Sequence, residues 1–203
     1  MTWEAYRVFQ DEWYAGDWRS NYEGMYSAEP VKSYQDYVMP ILREFVRNGL
    51  DGIYYDCTYE SASIDKVMFP DADDKSGRRL FMNMRRLVKR TATMLYLEKK
   101  LIEDRPFVEV HITNCIIIPM MSFASHALGW EIFYGSKDYQ QRFSEPYIMA
   151  ESILTQAGLV SKLLLDIRND NERLLKSALA LTMPYNLLNH TLSGGNPTAE
   201  YMF

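Results

Sequence analysis

The apolar residues of this chain follow two spacings, and each spacing predicts a different kind of element. Short continuous apolar runs are typical of strands buried in a parallel sheet, and four occur at residues 50–57, 107–113, 128–133 and 159–166. Apolar residues that recur every three or four positions indicate amphipathic helices at residues 31–48, 78–103, 147–156 and 171–183. A further strand is predicted at residues 5–9. Residues 116–123 are interpreted as a loop or a short helical turn because Pro119 interrupts them.

The order of these elements predicts the fold class. Strands and helices alternate, and no hairpin signal joins two strands, so the strands are expected to be parallel and connected by right-handed crossovers. No internal repeat or linker divides the chain. We therefore predict one α/β domain over residues 1–190 and a mobile tail over residues 191–203, which is rich in Ser, Gly, Asn, Pro and Thr.

The helix predicted at residues 31–48 carries the clearest end signals. Ser33 is a candidate N-cap, and the pair Asn48-Gly49 is typical of a helix end. Pro40 lies inside the pattern, so the helix either starts there or bends there.

Composition and charge narrow the classes of partner. The 203 residues are 47% hydrophobic, which is enough for one substantial core. A net charge of −5 argues against nucleic acid as a partner, since it repels phosphate backbones. The basic residues between positions 75 and 90 overlap a helix pattern and are interpreted as a solvated helix face rather than a binding patch. No apolar run is long enough for a membrane span, and the first residues lack a signal peptide, so the chain as written is expected to be cytoplasmic.

Cysteine and histidine spacings predict neither a disulfide framework nor a zinc site. Cys57 and Cys115 are the only two cysteines, and the three histidines, His111, His126 and His190, are scattered. No metal and no cofactor are expected from these residues.

Aromatic residues make up 14% of the chain, and several of them lie near the N-terminus. Such a group suits the C–H faces of sugars, and it equally suits a corner of the core or an interface. The residues are Trp3, Tyr6, Phe9, Trp13, Tyr14, Trp18, Tyr22 and Tyr26.

Two segments resemble known carbohydrate-processing enzymes. Residues 49–56, Gly-Leu-Asp-Gly-Ile-Tyr-Tyr-Asp, resemble barrel glycosidases in which an Asp-Gly-Ile-Tyr-x-Asp strand places its last carboxylate at the barrel mouth. The second set is similar to glycoside hydrolase family 123 and its uncharacterised relatives. It consists of residues 111–114, His-Ile-Thr-Asn, residues 119–124, Pro-Met-Met-Ser-Phe-Ala, and residues 131–133, Glu-Ile-Phe.

The resemblance implies a (β/α)8, TIM-type barrel and hydrolysis of glycosidic bonds. In family 123 it implies removal of N-acetylgalactosamine by substrate-assisted catalysis. The chain departs from the pattern where Ser125 and His126 follow Phe-Ala in place of an Asp, and where Trp130 precedes the Glu in place of a Gly.

Chain length limits how much of a barrel is present. A complete barrel has eight strands and about 250 residues, whereas four clear strands are predicted here. We therefore expect the C-terminal part of an N-terminally truncated barrel. A parent protein with a further N-terminal part could be secreted or periplasmic.

Carboxylates at predicted strand ends are the candidate catalytic groups, because parallel barrels hold their active sites at the C-terminal ends of strands. Asp56 is the first candidate, and its alternative is a loop or ion-pair carboxylate. Glu131 is the second, as general acid or sugar-hydroxyl acceptor, with a buried ion pair as its alternative. Asp166 is interpreted as a helix-capping residue instead.

Five further residues are candidates for substrate binding. Tyr54 shares a strand face with Asp56 by alternation. His111 could bind sugar hydroxyls or lie in the core. Asp11 and Glu12, which follow the strand predicted at residues 5–9, could be a catalytic pair or ordinary acidic surface residues. The candidates are Tyr54, His111, Asn114, Asp11 and Glu12.

Two functions follow from these residues. The first is a glycoside hydrolase acting on a carbohydrate substrate. The second is a catalytically inactive barrel fragment that binds carbohydrate or a protein partner. Open sheet edges in a partial barrel also predict self-association.

Overall fold

The computed structural model describes residues 3–17, 26–56, 58, 62–63, 78–79, 81–112, 117–129, 138–166 and 171–192. The chain divides into two compact units. The first comprises Met1–Ile53, Tyr59–Phe107 and Pro119–Phe123, and the second comprises Tyr54–Thr58, Val108–Ile118 and Ala124–Phe203.

Seven α-helices and ten strands are present in the described residues. The helices are α1 (Trp3–Trp13), α2 (Lys32–Arg47), α3 (Phe81–Leu97), α4 (Ile118–Met121), α5 (Tyr139–Arg142), α6 (Glu145–Glu151) and α7 (Asn171–Thr182). The strands are β1 (Tyr14–Asp17), β2 (Tyr26–Ala28), β3 (Gly52–Tyr55), β4 (Ala62–Ser63), β5 (Arg78–Arg79), β6 (Leu101–Ile102), β7 (Arg105–His111), β8 (His126–Gly129), β9 (Val160–Asp166) and β10 (Leu188–Leu192).

The main sheet has the strand order β3-β7-β8-β9-β10. The pairs β7–β8, β8–β9 and β9–β10 are parallel, and at least one helix separates each of these strands from the next along the chain. The predicted α/β class with a mostly parallel sheet is therefore confirmed. Each new strand adds beside the previous one, which is compatible with part of a barrel.

The predicted strand at residues 5–9 is wrong, because this segment belongs to helix α1. Phe9 and Trp13 lie four positions apart and stack with ring centroids 4.6 Å apart, as neighbours on one helix face do. Trp13 is fully buried, contacts Tyr34 and Tyr37 of α2, and donates its indole N–H to the Ser33 hydroxyl over 2.9 Å. Trp13 is thus part of a core corner.

Helix α2 confirms the predicted end at Asn48-Gly49, where Gly49 has a φ of 118°. Pro40 lies inside this helix. The predicted cap is wrong. Val31 occupies the N-cap position without a side-chain bond, and Ser33 lies within the helix as the acceptor for Trp13.

Three short antiparallel pairs contradict the expectation that no hairpins occur. They are β1–β2, β4–β5 and β6–β7. Strands β6 and β7 are joined by Glu103 and Asp104, whose φ values are 49° and 62°. A Glu-Asp pair is not one of the Asn-Gly or Asp-Gly signals that identify such turns in a sequence, so the pattern did not reveal the hairpin.

Gly52 begins β3 in close contact with the next strand. A Cβ at this position would overlap the ring of Phe107 and lie 2.9 Å from the Phe107 carbonyl oxygen. Only glycine fits here without moving Phe107.

Helices α5, α6 and α7 cover one face of β9 in the second unit. Leu163 and Leu165 point into this layer, two positions apart as strand alternation requires. The remaining buried members of the cluster are Tyr139, Phe143, Ile148, Leu174, Leu175, Ala178 and Leu187. The opposite face of the sheet therefore carries other side chains, and those of the candidate site are among them.

Three predicted boundaries of the second unit changed. The strand expected at residues 128–133 is β8, which begins at His126, and residues 130–133 lie outside the described residues. The helix expected at residues 147–156 is instead α6 followed by a 3-10 turn, Thr155–Ala157, which Gly158 ends with a φ of 75°. Strand β10 runs to Leu192 and so includes two residues of the predicted tail. The rest of that tail lies outside the described residues.

Asp138 caps helix α5 and gives the second unit a pH-dependent contribution to stability. Its carboxylate accepts the Ser177 hydroxyl at 2.7 Å, then the backbone N–H groups of Gln140 and Gln141, and it pairs with Arg173. These contacts, the Ser177 bond foremost, hold the pKa of Asp138 below its ordinary value.

A folded-state pKa below the unfolded one stabilises the fold above the unfolded pKa, and this contribution is lost as the pH falls through the folded pKa. Asp138→Asn is expected to lower the melting temperature most near neutral pH, and the difference from wild type should shrink below about pH 4. Melting curves of both proteins between pH 7 and pH 2.5 measure this. A constant difference over that range would contradict the assignment.

Candidate functional site

Asp56 and His111 meet at the C-terminal ends of two neighbouring strands. Asp56 directly follows β3, and His111 is the last residue of β7. Their side chains lie 2.7 Å apart between Asp56 Oδ1 and His111 Nδ1. The structure therefore brings together two of the residues that the sequence selected, although 55 positions separate them.

The two side chains differ in their exposure to solvent. His111 is 1% exposed, whereas the Asp56 side chain is 61% exposed. An ionised carboxylate only accepts hydrogen bonds, so in this contact Nδ1 of His111 carries the proton and donates it. The buried ring thus orients a carboxylate that is largely exposed to solvent.

Tyr54 completes the group from the same strand as Asp56. Its hydroxyl donates to Asp56 Oδ1 over 3.1 Å, and its ring lies 6.4 Å from the His111 ring. Tyr54 is 44% exposed. The predicted placement of Tyr54 and Asp56 on one face agrees with this contact, and an exposed aromatic ring stands beside the carboxylate.

Thr58 holds the backbone of His111 from the segment that follows β3. Its hydroxyl donates to the His111 carbonyl oxygen over 2.7 Å, and the Thr58 side chain is fully buried. This bond ties the end of β7 to the residues after Asp56. It therefore helps the direct Asp56–His111 contact to fix the distance between these two side chains.

A second group lies deeper on the same face of the sheet. Glu109 is two positions before His111 and therefore points to the same side. Lys162 of β9 lies 3.1 Å from both Glu109 oxygens, and the Glu109 side chain is 8% exposed. Sequence reasoning missed this pair, and the one available signal was a charged residue in the middle of each of two apolar strands.

Ser125 lies at the other end of the strands from Asp56 and His111. It directly precedes β8, and its hydroxyl accepts the Val108 N–H over 3.1 Å. Val108 to His111 spans about 10 Å along a strand. The Ser125 hydroxyl also contacts His126 Nδ1 at 2.9 Å. This serine therefore joins the start of β8 to the middle of β7 and is not a member of the Asp56 group.

The other predicted site residues are not brought into this group. Glu131 and Asn114 lie outside the described residues. Asp11 and Glu12 lie in the last turn of α1, in the first unit, so the expectation that they follow a strand is wrong. Asp166 ends β9, whose C-terminal end lies at the same edge of the sheet as that of β7.

A groove of about 750 Å³ lies between α2 and α3 in the first unit. Its polar lining is already occupied by ion pairs, including Arg90 with Asp36 and Arg43 with Glu98. It contains none of the candidate site residues.

The described residues contain neither a metal-binding cluster nor a membrane-spanning helix. Within it, no three His, Cys, Asp or Glu side chains are grouped so that they could hold a metal ion. No helix among the described residues has both the length and the apolar character that crossing a bilayer requires.

Comparisons with known proteins leave the family of the chain open. No protein-family model matches it, and no curated protein is similar to it at a significant level.

Proposed function

We propose that this chain is a glycoside hydrolase domain in which Asp56 acts on the substrate at the C-terminal edge of a partial barrel. The observation that carries the proposal is the exposed Asp56 carboxylate, which Tyr54 and the buried His111 hold from two directions. A structural ion pair alone would not require an exposed aromatic ring beside the carboxylate.

The topology supports the same placement. The strands follow one another in chain order across the sheet, and β7 to β10 are parallel, so their C-terminal ends share one edge. Barrel enzymes hold their catalytic groups at that edge. The helices α5, α6 and α7 cover the face of β9 that carries Leu163 and Leu165. Lys162 points to the other side of the sheet, where Glu109 and His111 of β7 also lie. A polar face opposite a helix layer is suited to lining the interior of a barrel.

The chemistry assigns a separate task to each side chain. In the proposed reaction, Asp56 is the nucleophile or, on a 2-acetamido sugar, the carboxylate that orients the acetamido group. The exposed Tyr54 ring packs against the sugar. Hydrolysis needs a second carboxyl group as the acid, and Glu131 is the residue that the sequence selects for it. N-acetylhexosaminides are the first substrates to examine.

A panel of chromogenic glycosides, including both N-acetylhexosaminides, tests this proposal with the wild-type chain. We expect turnover on at least one sugar, with product accumulating in proportion to protein concentration. A folded sample, as judged by circular dichroism, that releases no chromophore from any member of the panel would contradict hydrolysis.

The alternative is a sugar-binding fragment without activity. It is favoured by one departure from the family pattern: Ser125 follows Phe-Ala where the relatives have an Asp. Calorimetric binding of a sugar without turnover would support this alternative. Binding with turnover would support the hydrolase.

A further inference from the structure

The ion pair between Glu109 and Lys162 lies on the same face of the sheet as His111. In the parallel register, His111 of β7 is level with Leu128 of β8, and Leu128 is level with Lys162 of β9. Residues that are level with one another across parallel strands point to the same side of the sheet. Lys162 therefore points to the side on which His111 contacts Asp56.

The Lys162 side chain extends across β8 to reach its partner. Neighbouring strands lie about 4.8 Å apart, so β9 and β7 are separated by about 10 Å. The ammonium group nevertheless lies 3.1 Å from both carboxylate oxygens of Glu109. Glu109 is two residues before His111 in β7, which is about 7 Å along a strand. The ammonium group thus lies over β8, close to the buried side of the Asp56–His111 contact.

The two partners of this ion pair differ in their exposure and in their remaining hydrogen-bonding capacity. The Glu109 side chain is 8% exposed, whereas the Lys162 side chain is 23% exposed. A lysine ammonium group has three N–H donors. Within the part of the chain that the structure describes, Glu109 is the partner of Lys162, and its two oxygens take at most two of these donors. A third donor is then left for a ligand.

Stability alone is a poor explanation for two charges at this place. Removing both charges from water costs about as much as their attraction contributes, so apolar side chains of similar size often stabilise a fold equally well. Leu128 and Leu164 lie on the same face as Lys162 and are 9% and 8% exposed. An apolar side chain would therefore suit this position, and a partly exposed lysine near the Asp56–His111 contact is better explained by binding.

We propose that Lys162 binds the substrate of the Asp56 site by donating a hydrogen bond to a sugar oxygen, either a hydroxyl or the carbonyl of a 2-acetamido group. Glu109 balances the positive charge and holds the ammonium group over β8, so the donor suits an uncharged oxygen. The inference rests on the proposed function, since it takes the ligand to be a carbohydrate. It gives β9 a part in substrate recognition in addition to β3 and β7.

Kinetics and calorimetry with the double variant Glu109→Gln with Lys162→Met test the proposal. The two substitutions nearly keep side-chain size and remove both charges together, so neither charge is left buried alone. We expect KM on the best glycoside to rise about 10- to 100-fold while kcat changes less than about threefold, as when uniform binding is lost. The Kd of the sugar in calorimetry should rise by the same factor.

A second double variant, Asp51→Asn with Lys100→Met, is the matched control. It removes an ion pair of the same length, 3.1 Å, that is not part of the Asp56 group. We expect the KM and the Kd of this control to equal those of wild type. Thermal melts of all three proteins accompany the measurement, and the Glu109→Gln with Lys162→Met protein is expected to melt close to wild type.

The outcomes separate this inference from the proposed hydrolysis. Turnover by wild type with an unchanged KM in the Lys162 double variant overturns the role of Lys162 and leaves the hydrolase standing. Sugar binding without turnover contradicts hydrolysis, and the Kd of the double variant then decides the role of Lys162. A wild-type chain that neither binds nor hydrolyses any sugar overturns both. A melting temperature more than about 5 °C below wild type would assign the pair to the fold and also overturn the proposal.

Discussion

Asp56→Asn is expected to lower the turnover of any glycoside that the wild-type chain hydrolyses by about 1000-fold or more. Asparagine keeps the size of the side chain but cannot supply the negative charge that the proposed role requires. It also presents a neutral amide to the His111 N–H, which now donates to a carboxylate over 2.7 Å. The measurement is kcat/KM on the best substrate of the panel, with thermal melts to show that the variant is folded.

Asp51→Asn is the matched control for this experiment. Asp51 directly precedes β3, whereas Asp56 directly follows it, and Asp51 pairs with Lys100. Its side chain is 72% exposed. We expect nearly unchanged turnover from this variant. Equal activity in Asp56→Asn and wild type would remove Asp56 from the mechanism, and an equal loss in both variants would show that the effect is not specific to the site.

Trp13→Ala is expected to lower the free energy of unfolding by about 3–5 kcal/mol. The indole is fully buried, contacts Phe9, Tyr34 and Tyr37, and donates its N–H to Ser33. Truncation to alanine would leave a cavity among three rings and remove the bond to Ser33. Urea unfolding followed by circular dichroism measures the change.

Val8→Ala on the same helix is the control, because Val8 is 75% exposed. A change within about 0.5 kcal/mol is expected there. If Trp13→Ala were as mild as the control, α1 would not be packed against α2 as described, and the N-terminal aromatic residues would have to be considered again as a sugar-facing surface.

Sequence patterns predicted the elements whose signals are local. The runs that form β3, β7 and β9 are continuous and apolar, so these strands could be predicted. The run before Asp56 ends in this carboxylate, so the edge of the sheet that holds Asp56 could be predicted as well. The contact of Asp56 with His111 was not predicted, because no local pattern specifies which strand lies beside which. Helix α1 was mistaken for a strand because the contacts that decide it, between Trp13 and α2, are tertiary.

The Glu109–Lys162 pair shows a different limit of sequence reasoning. Each charge lies in the middle of a mainly apolar strand, and its partner lies 53 positions away. A single charge in such a strand is compatible with a bulge, an edge position or a buried pair. The register of β7, β8 and β9 decides among these, and that register became known only with the structure.

Gly52 belongs to the Asp-Gly-Ile-Tyr segment on which the resemblance to barrel glycosidases rests, yet its role is one of fit. A side chain at this position would collide with Phe107 of the neighbouring strand. The segment therefore meets two independent requirements. Gly52 lets β3 lie close to Phe107 of β7, and Asp56 places a carboxylate directly after β3. During evolution, a sequence can keep the glycine and lose the carboxylate. A homologue that keeps Gly52 alone shares a packing solution, and shared ancestry of the site itself would be recorded by Asp56 and His111 together.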